Sequence, residues 1–251
     1  MAAHIYLSAH LDDAVLSCGG LIARQAAGGE SVLVATICAG DPGPEPLTEF
    51  AQMLHTVWGS RPSPVGDRRS EDRVACGRLD ASVLHLEFPD AIYRRSPAGA
   101  ALYASEEALL GPIASEEAGL IQKVAERLES ACRPDARIYS PLAIGGHVDH
   151  RLTRSAAERM GRPLCYYRDF PFASQAGMVP SEFPPPSGRE TVLPLSAEEI
   201  QAWAAAVAEY QSQISTFWPD IYALYQEIRT FHDLASGVVL ITPNDARMAP
   251  V

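Results

Sequence analysis

Apolar and polar positions along the first two-thirds of the chain repeat a strand-then-helix rhythm. "HIYLSA" (4–9) predicts a strand, after which Val15, Leu16, Leu21 and Ile22 give an apolar side to a helix running to about Ala27. "GGE" breaks that helix, and "SVLVATICA" (31–39) is an unbroken apolar run, the pattern of a parallel strand buried on both faces. "GDPGPEP" (40–46) suits neither regular element and predicts a loop. A helix over Glu49–Trp58, a loop at "GSRPSPVGD", a helix opening at "RRSEDRVACGRL" and a strand "SVLHLEF" (82–88) follow. Residues 89–115 show little periodicity. Helical spacing returns in "SEEAGLIQKVAERLESAC" through Leu120, Ile121, Val124 and Leu128, with acidic residues in the first turn, where the helix dipole favours them. "RIYSPLA" (137–143) predicts a fourth strand, "HVDHRLTRSAAERM" a helix and "PLCYYRDF" (163–170) a fifth strand.

This alternation predicts an α/β, Rossmann-like parallel sheet with helices on both faces, strand order about 3-2-1-4-5, in a single domain over residues 1–251 whose core is 1–170. The pattern changes in the C-terminal extension, 171–251. "PSEFPPPSG" (180–188) predicts a Pro-rich loop and "RETVLPL" an edge strand. Ile200, Trp203, Val207, Tyr210, Ile214 and Phe217 recur at helical steps; Pro219 interrupts the helix, and Ile221, Leu224, Ile228 and Phe231 continue a second one. Such stripes are core faces or subunit contacts, so a homo-oligomer stays open.

Composition narrows the class of partner. A hydrophobic content of 47% over 251 residues supplies one large core, and a net charge of −11 argues against a nucleic-acid partner, which needs a basic surface. No run of about 18 apolar residues predicts a membrane span. The N-terminus shows neither the basic stretch nor the apolar core of a secretory signal, so a cytoplasmic location is expected. Cys18, Cys38, Cys76, Cys132 and Cys165 form no CxxC and read as buried free thiols.

Two polar stretches remain to be explained. "SAHLDDAVLSCGG" (8–20) and "GGHVDHRLT" (145–153) each follow a strand and open a helix. In doubly wound sheets, ligands bind beyond the carboxyl ends of strands where strand order reverses, which here is between the first and fourth strands. His10 and Asp13 are three apart, as are His147 and His150, so each pair can point into one small volume. Two histidines and a carboxylate match the ligand sets of catalytic zinc, with a coordination position left open, although other divalent metals suit the same donors. The simpler alternative is two polar helix entrances with capping aspartates. Capping explains one aspartate per helix; it leaves the second aspartate and both histidine positions unexplained.

"AHLDD" resembles the AHPDD(E) motif of the PIG-L / LmbE-like family of zinc-dependent N-acetylglucosaminyl deacetylases, and "HVDH" resembles its HxDH motif. The likeness extends in pattern over roughly residues 4–170. It implies a Rossmann-like fold and hydrolysis of N-acyl groups from amino sugars and related conjugates, with one Zn2+ per chain. It assigns His10, Asp13 and His150 as metal ligands and Asp12 as general base. His147 would stabilise the oxyanion or protonate the leaving amine, kept protonated by Asp149, which would hold its ring. Leu11 replaces the motif's proline and Ala14 its glutamate; neither change removes a ligand.

Substrate contacts are expected from Arg68 and Arg69 in "RRSEDR", where the family has a substrate-binding arginine, and from the rim carboxylates Asp90 and Asp41. A solvated helix face and turn residues are the alternatives for these four. His4, His55, His85 and His232 read as structural. The expected function is metal-dependent N-deacetylation of an amino sugar or glycosylated small molecule, in thiol-cofactor or secondary-metabolite biosynthesis. A metal-dependent phosphoesterase is an alternative that would require ligands for a second metal. A non-catalytic binding member of the fold is another, against which the retention of Asp12 and His147 argues.

Overall fold

Unbroken apolar runs become central strands because only burial on both faces removes all of their side chains from water. A computed structural model describes residues 3–59, 62–174 and 184–244. Residues 60–61 of the expected loop at 59–67 and residues 180–183 of the Pro-rich loop lie outside that set. The elements are β1 (His4–Ser8), α1 (Asp13–Ala27), β2 (Val32–Thr36), α2 (Glu49–Val57), α3 (Pro64–Arg78), β3 (Ser82–His85), α4 (Glu106–Leu109), α5 (Ala118–Ala131), β4 (Arg137–Pro141), α6 (Val148–Arg159), β5 (Leu164–Tyr167), β6 (Gly188–Leu193), α7 (Ala197–Val207), α8 (Gln211–Phe217), α9 (Ile221–Ala235) and β7 (Val238–Pro243). Short 3-10 turns at Ala91–Tyr93, Ser115–Glu117 and Phe172–Ser174 punctuate the connections.

The strands form one sheet in the order β3-β2-β1-β4-β5-β7-β6. The expected five-strand parallel order is present, and β1 lies directly against β4, with His4, Ile5 and Tyr6 facing Arg137, Ile138 and Tyr139. The sheet is not parallel throughout. The segment "VVLIT" forms β7, which inserts antiparallel between β5 and β6 and leaves β6 as the edge strand. Two helix boundaries also differ from expectation. Helix α3 opens at Pro64, inside the expected loop, because proline's missing N–H is harmless in a first turn. The stripe from Ile200 to Phe217 splits after Val207. There the Tyr210 hydroxyl donates to Asp72, and the Ser212 N–H and hydroxyl both donate to Glu71, so α3 supplies partners that compete with helix continuation.

Alternate strand residues separate two apolar layers. Tyr6 and Tyr139 pack with α1, α3, α7 and α9, whereas Ile5 and Ile138 pack with α5 and α6. The C-terminal stripe is core: Trp203 is fully buried, and its Nε1 donates to the carbonyls of Val15 and Leu16. Gly19 permits that approach, since a Cβ there would lie 2.4 Å from Trp203 Cδ1. The five cysteines are free and buried. Among the described residues, no helix is long and apolar enough to cross a membrane.

Candidate active site

The turn after β1 is organised by its own short side chains. The Ser8 hydroxyl donates to the His10 carbonyl and accepts from the Ala14 N–H, satisfying an otherwise orphaned amide in the first turn of α1. Asp13 Oδ2 accepts from the His10 N–H at 2.7 Å, which folds residues 10–13 back on themselves. Ala14 is fully buried in the core, so the glutamate of the family motif would place a charge in an apolar layer here. After β4, Gly145 and Gly146 take φ of 88° and 75°, a left-handed bend that swings the chain to the start of α6. His147 caps that helix, its Nδ1 accepting from the Asp149 N–H at 3.1 Å.

Because β1 and β4 are neighbours, the two turns face each other. The His10 ring lies 4.9 Å from the His147 ring and 5.5 Å from the His150 ring, centroid to centroid. Asp13 Oδ2 lies 3.3 Å from His10 Nδ1 and 3.3 Å from His150 Nε2. One donor atom from each of His10, Asp13 and His150 falls within 4.8 Å of the others, a set that could hold a metal ion; His10, His147 and Asp149 form an overlapping second set. The donor chemistry suits a divalent cation. The far nitrogen of each ring in the first set is tied to a carboxylate, His150 Nδ1 to Asp169 at 2.7 Å and His10 Nε2 to Asp149 at 3.0 Å. A proton on each tied nitrogen leaves the inner nitrogen's lone pair directed at Asp13, the usual arrangement behind metal-ligating imidazoles.

Burial opposes the charged form of His150, but Asp13 and Asp169 raise its pKa to about 10. His10 rises well above the ordinary imidazole range despite its burial, driven by Asp90, Asp13 and Asp149. Burial also disfavours ionised Asp13, yet the two imidazoles hold it well below its usual value. Asp12 differs: burial first, then the charge of Asp13, raise it to about 6, with Arg68 acting in the opposite sense.

His147 departs from expectation. Burial, then the charge of His10, push it down to about 3, so it is neutral rather than kept protonated by Asp149. Nor does the Asp149 carboxylate hold the His147 ring. It accepts from Arg94, from the Ala91 N–H and from His10, and the Asp149 backbone N–H engages His147 instead. The reason is positional: the first-turn amides of α6 need acceptors, and the ring at the cap provides one.

Of the expected substrate contacts, Arg68 is buried and reaches Asp12 at 3.5 Å while stacking on Trp58. Asp90 caps the 3-10 turn by accepting from the Ile92 N–H and also lies 3.7 Å from His10 Nε2. Arg69 and Asp41 pair with each other at the rim, at 3.0 Å. The histidines read as structural have partners outside the site: His4 with Tyr139, His55 with Tyr93, His85 with Asp72 and His232 with the Leu195 N–H. The sequence reading missed Asp169 and Arg94. Asp169 follows β5 at the same sheet edge that carries the other acids, which was the available signal. Arg94 sits in the aperiodic stretch and gave none.

Residues 5–160 match the GlcNAc-PI de-N-acetylase family, PIG-L, over more than half of the chain. The chain belongs to the PIG-L family. As such it is an amide hydrolase of the deacetylase class. It is similar to the 2'-N-acetylparomamine deacetylase of Niallia circulans, 31% identical over 228 residues, covering 84% of this chain and 81% of that protein. The 2'-N-acetylparomamine deacetylase of Streptomyces fradiae is 30% identical over 187 residues, covering 71% of this chain and 60% of that one. Among solved PIG-L-like structures, the zinc-inhibited form of a teicoplanin deacetylase superposes with a TM-score of 0.82 at 28% identity, over 96% of this chain and 99% of that one.

Proposed function

We propose that the chain removes an N-acetyl group from an amino sugar carried by a larger glycosylated molecule, using a divalent cation, zinc, held by His10, Asp13 and His150. The convergence of those three donors beside a buried, still-basic Asp12 carries the proposal. The 2'-N-acetylparomamine and teicoplanin deacetylases among the relatives support the substrate class.

Bound there, the cation supplies Lewis acidity toward the acyl carbonyl and makes nearby water more acidic. Asp12, with a pKa of about 6, is ionised at neutral pH and basic enough to take a proton from the attacking water. His147 keeps its single proton on Nε2, because Nδ1 is occupied as an acceptor, and it donates to the oxygen where negative charge develops. With no second proton on His147, the proton gained by Asp12 is the one passed to the leaving amine.

The test is a screen of N-acetylated amino sugars, 2'-N-acetylparomamine among them, and N-acylated glycopeptides for release of primary amine. Release that chelator abolishes and zinc restores supports the proposal. Zinc-loaded protein that liberates no amine from the panel, or that instead turns over phosphate esters, overturns it.

A further inference from the structure

Arg94 belongs to none of the motifs above, yet it is a buried cation held by two carboxylates. It follows the 3-10 turn Ala91–Tyr93 and is 5% exposed, between Glu117, 4% exposed, and Asp149, fully buried. Its Nε and Nη2 face the two Glu117 oxygens, its Nη1 donates to Asp149 Oδ1, and its guanidinium lies over the Tyr103 ring. Tyr103 secures the assembly by donating to Glu117 Oε2 at 2.6 Å and accepting from the Ala114 N–H. The other Asp149 oxygen accepts from the Ala91 N–H and faces His10 Nε2. A continuous chain, Glu117–Arg94–Asp149–His10, therefore joins the aperiodic segment to one of the candidate ligand rings.

We propose that Arg94 is a positioning residue for the metal site: anchored by Glu117, it fixes the Asp149 carboxylate so that His10 presents Nδ1 to the cation. A carboxylate with no exposure needs compensating charge, and Arg94 supplies it in direct contact at Oδ1 while Oδ2 faces His10. The planar fork also sets direction, because its other side lies against both Glu117 oxygens, Nη2 donating to Oε2 and Nε in ion-pair contact with Oε1, and so resists a rotation of Asp149. The ring of His10 is thus aimed from outside the motif that contains it. This inference rests on the metal site proposed above.

The experiment is a zinc titration of the metal-free full chain against a competing chromophoric chelator at pH 7.5. Arg94→Met is expected to weaken zinc binding about 10- to 100-fold, the usual effect of disturbing a partner of a ligating histidine. Arg94→Lys keeps the charge without the fork and is expected to recover part of that loss, and Glu117→Gln to cause a smaller loss than Arg94→Met. Saturating zinc should restore most of the turnover of Arg94→Lys and Glu117→Gln, whereas a merely structural defect would persist. Wild-type affinity in Glu117→Gln and Arg94→Lys overturns the inference, and these two variants decide it if Arg94→Met does not fold. Failure of the wild-type chain to bind zinc would overturn the metal site itself and is read from the same titration.

Discussion

Replacing Asp12 with asparagine should inactivate the enzyme and stabilise its metal-free form. Asp12 is 4% exposed, and its pKa is raised from 3.8 to about 6 by burial and then by the charge of Asp13. Ionisation is therefore about 3 kcal/mol less favourable in the folded chain than in the unfolded one. The folded pKa is the higher, so the folded state holds the proton more tightly. The penalty is absent below pH 3.8, grows as pH rises, and is complete above about pH 6. Relative to the neutral side chain, this linkage amounts to about 1 kcal/mol at pH 4.5 and about 3 kcal/mol at pH 8. Asn preserves the shape and removes the charge, so Asp12→Asn should gain up to that amount, in which the attraction of Arg68 is already counted. Urea denaturation of both metal-free proteins at the two pH values measures the gain, and steady-state amine release from the zinc-loaded proteins measures activity. Loss of the base should lower turnover about 100- to 10,000-fold. A stability gain equal at both pH values, or no gain at pH 8, refutes the electrostatic argument; turnover within tenfold of wild type refutes the assignment of the base.

The other predictions probe the site and the core separately. His150→Ala should lose zinc, and Asp169→Asn, which frees the ring of His150, should weaken zinc binding about 10- to 100-fold in a chelator competition. His147→Ala should lower turnover about 100- to 1000-fold with zinc content unchanged, as expected of the oxyanion donor proposed for a ring outside the first ligand set. Because His10 and His150 hold protons in the metal-free chain, zinc binding at pH 7 should release protons. Calorimetry in two buffers of different ionisation enthalpy reads this, and a buffer-independent heat would contradict it. Trp203→Ala should destabilise the fold by about 3–5 kcal/mol, measured by denaturant unfolding, because a fully buried indole fills the contact between α1 and α7.

Local signals carried much of this. The aligned apolar runs announced β1 to β5, and the shared strand-to-helix context of His10–Asp13 and His147–His150 placed both motifs at one sheet edge. Signals failed where distant partners decide the outcome. The break at Tyr210 depends on Asp72 and Glu71, far away in the chain, and β7 becomes a strand of this sheet through its pairing with β5 and β6. The direction of the Asp149 carboxylate depends on Arg94, whose segment has no periodicity to read.

What the amino-acid order determined by itself is an inventory and a topology: which donors exist, which strand end carries each, and that the chain crosses over in α/β fashion. Those follow from side-chain chemistry and from a period of burial that any short window displays. The tertiary structure alone decided the state of each group. Whether His147 is charged, which atom orients it, why Asp12 stays basic and what aims His10 all depend on distance and on exclusion of water. Both are set by residues that meet only when the chain is closed.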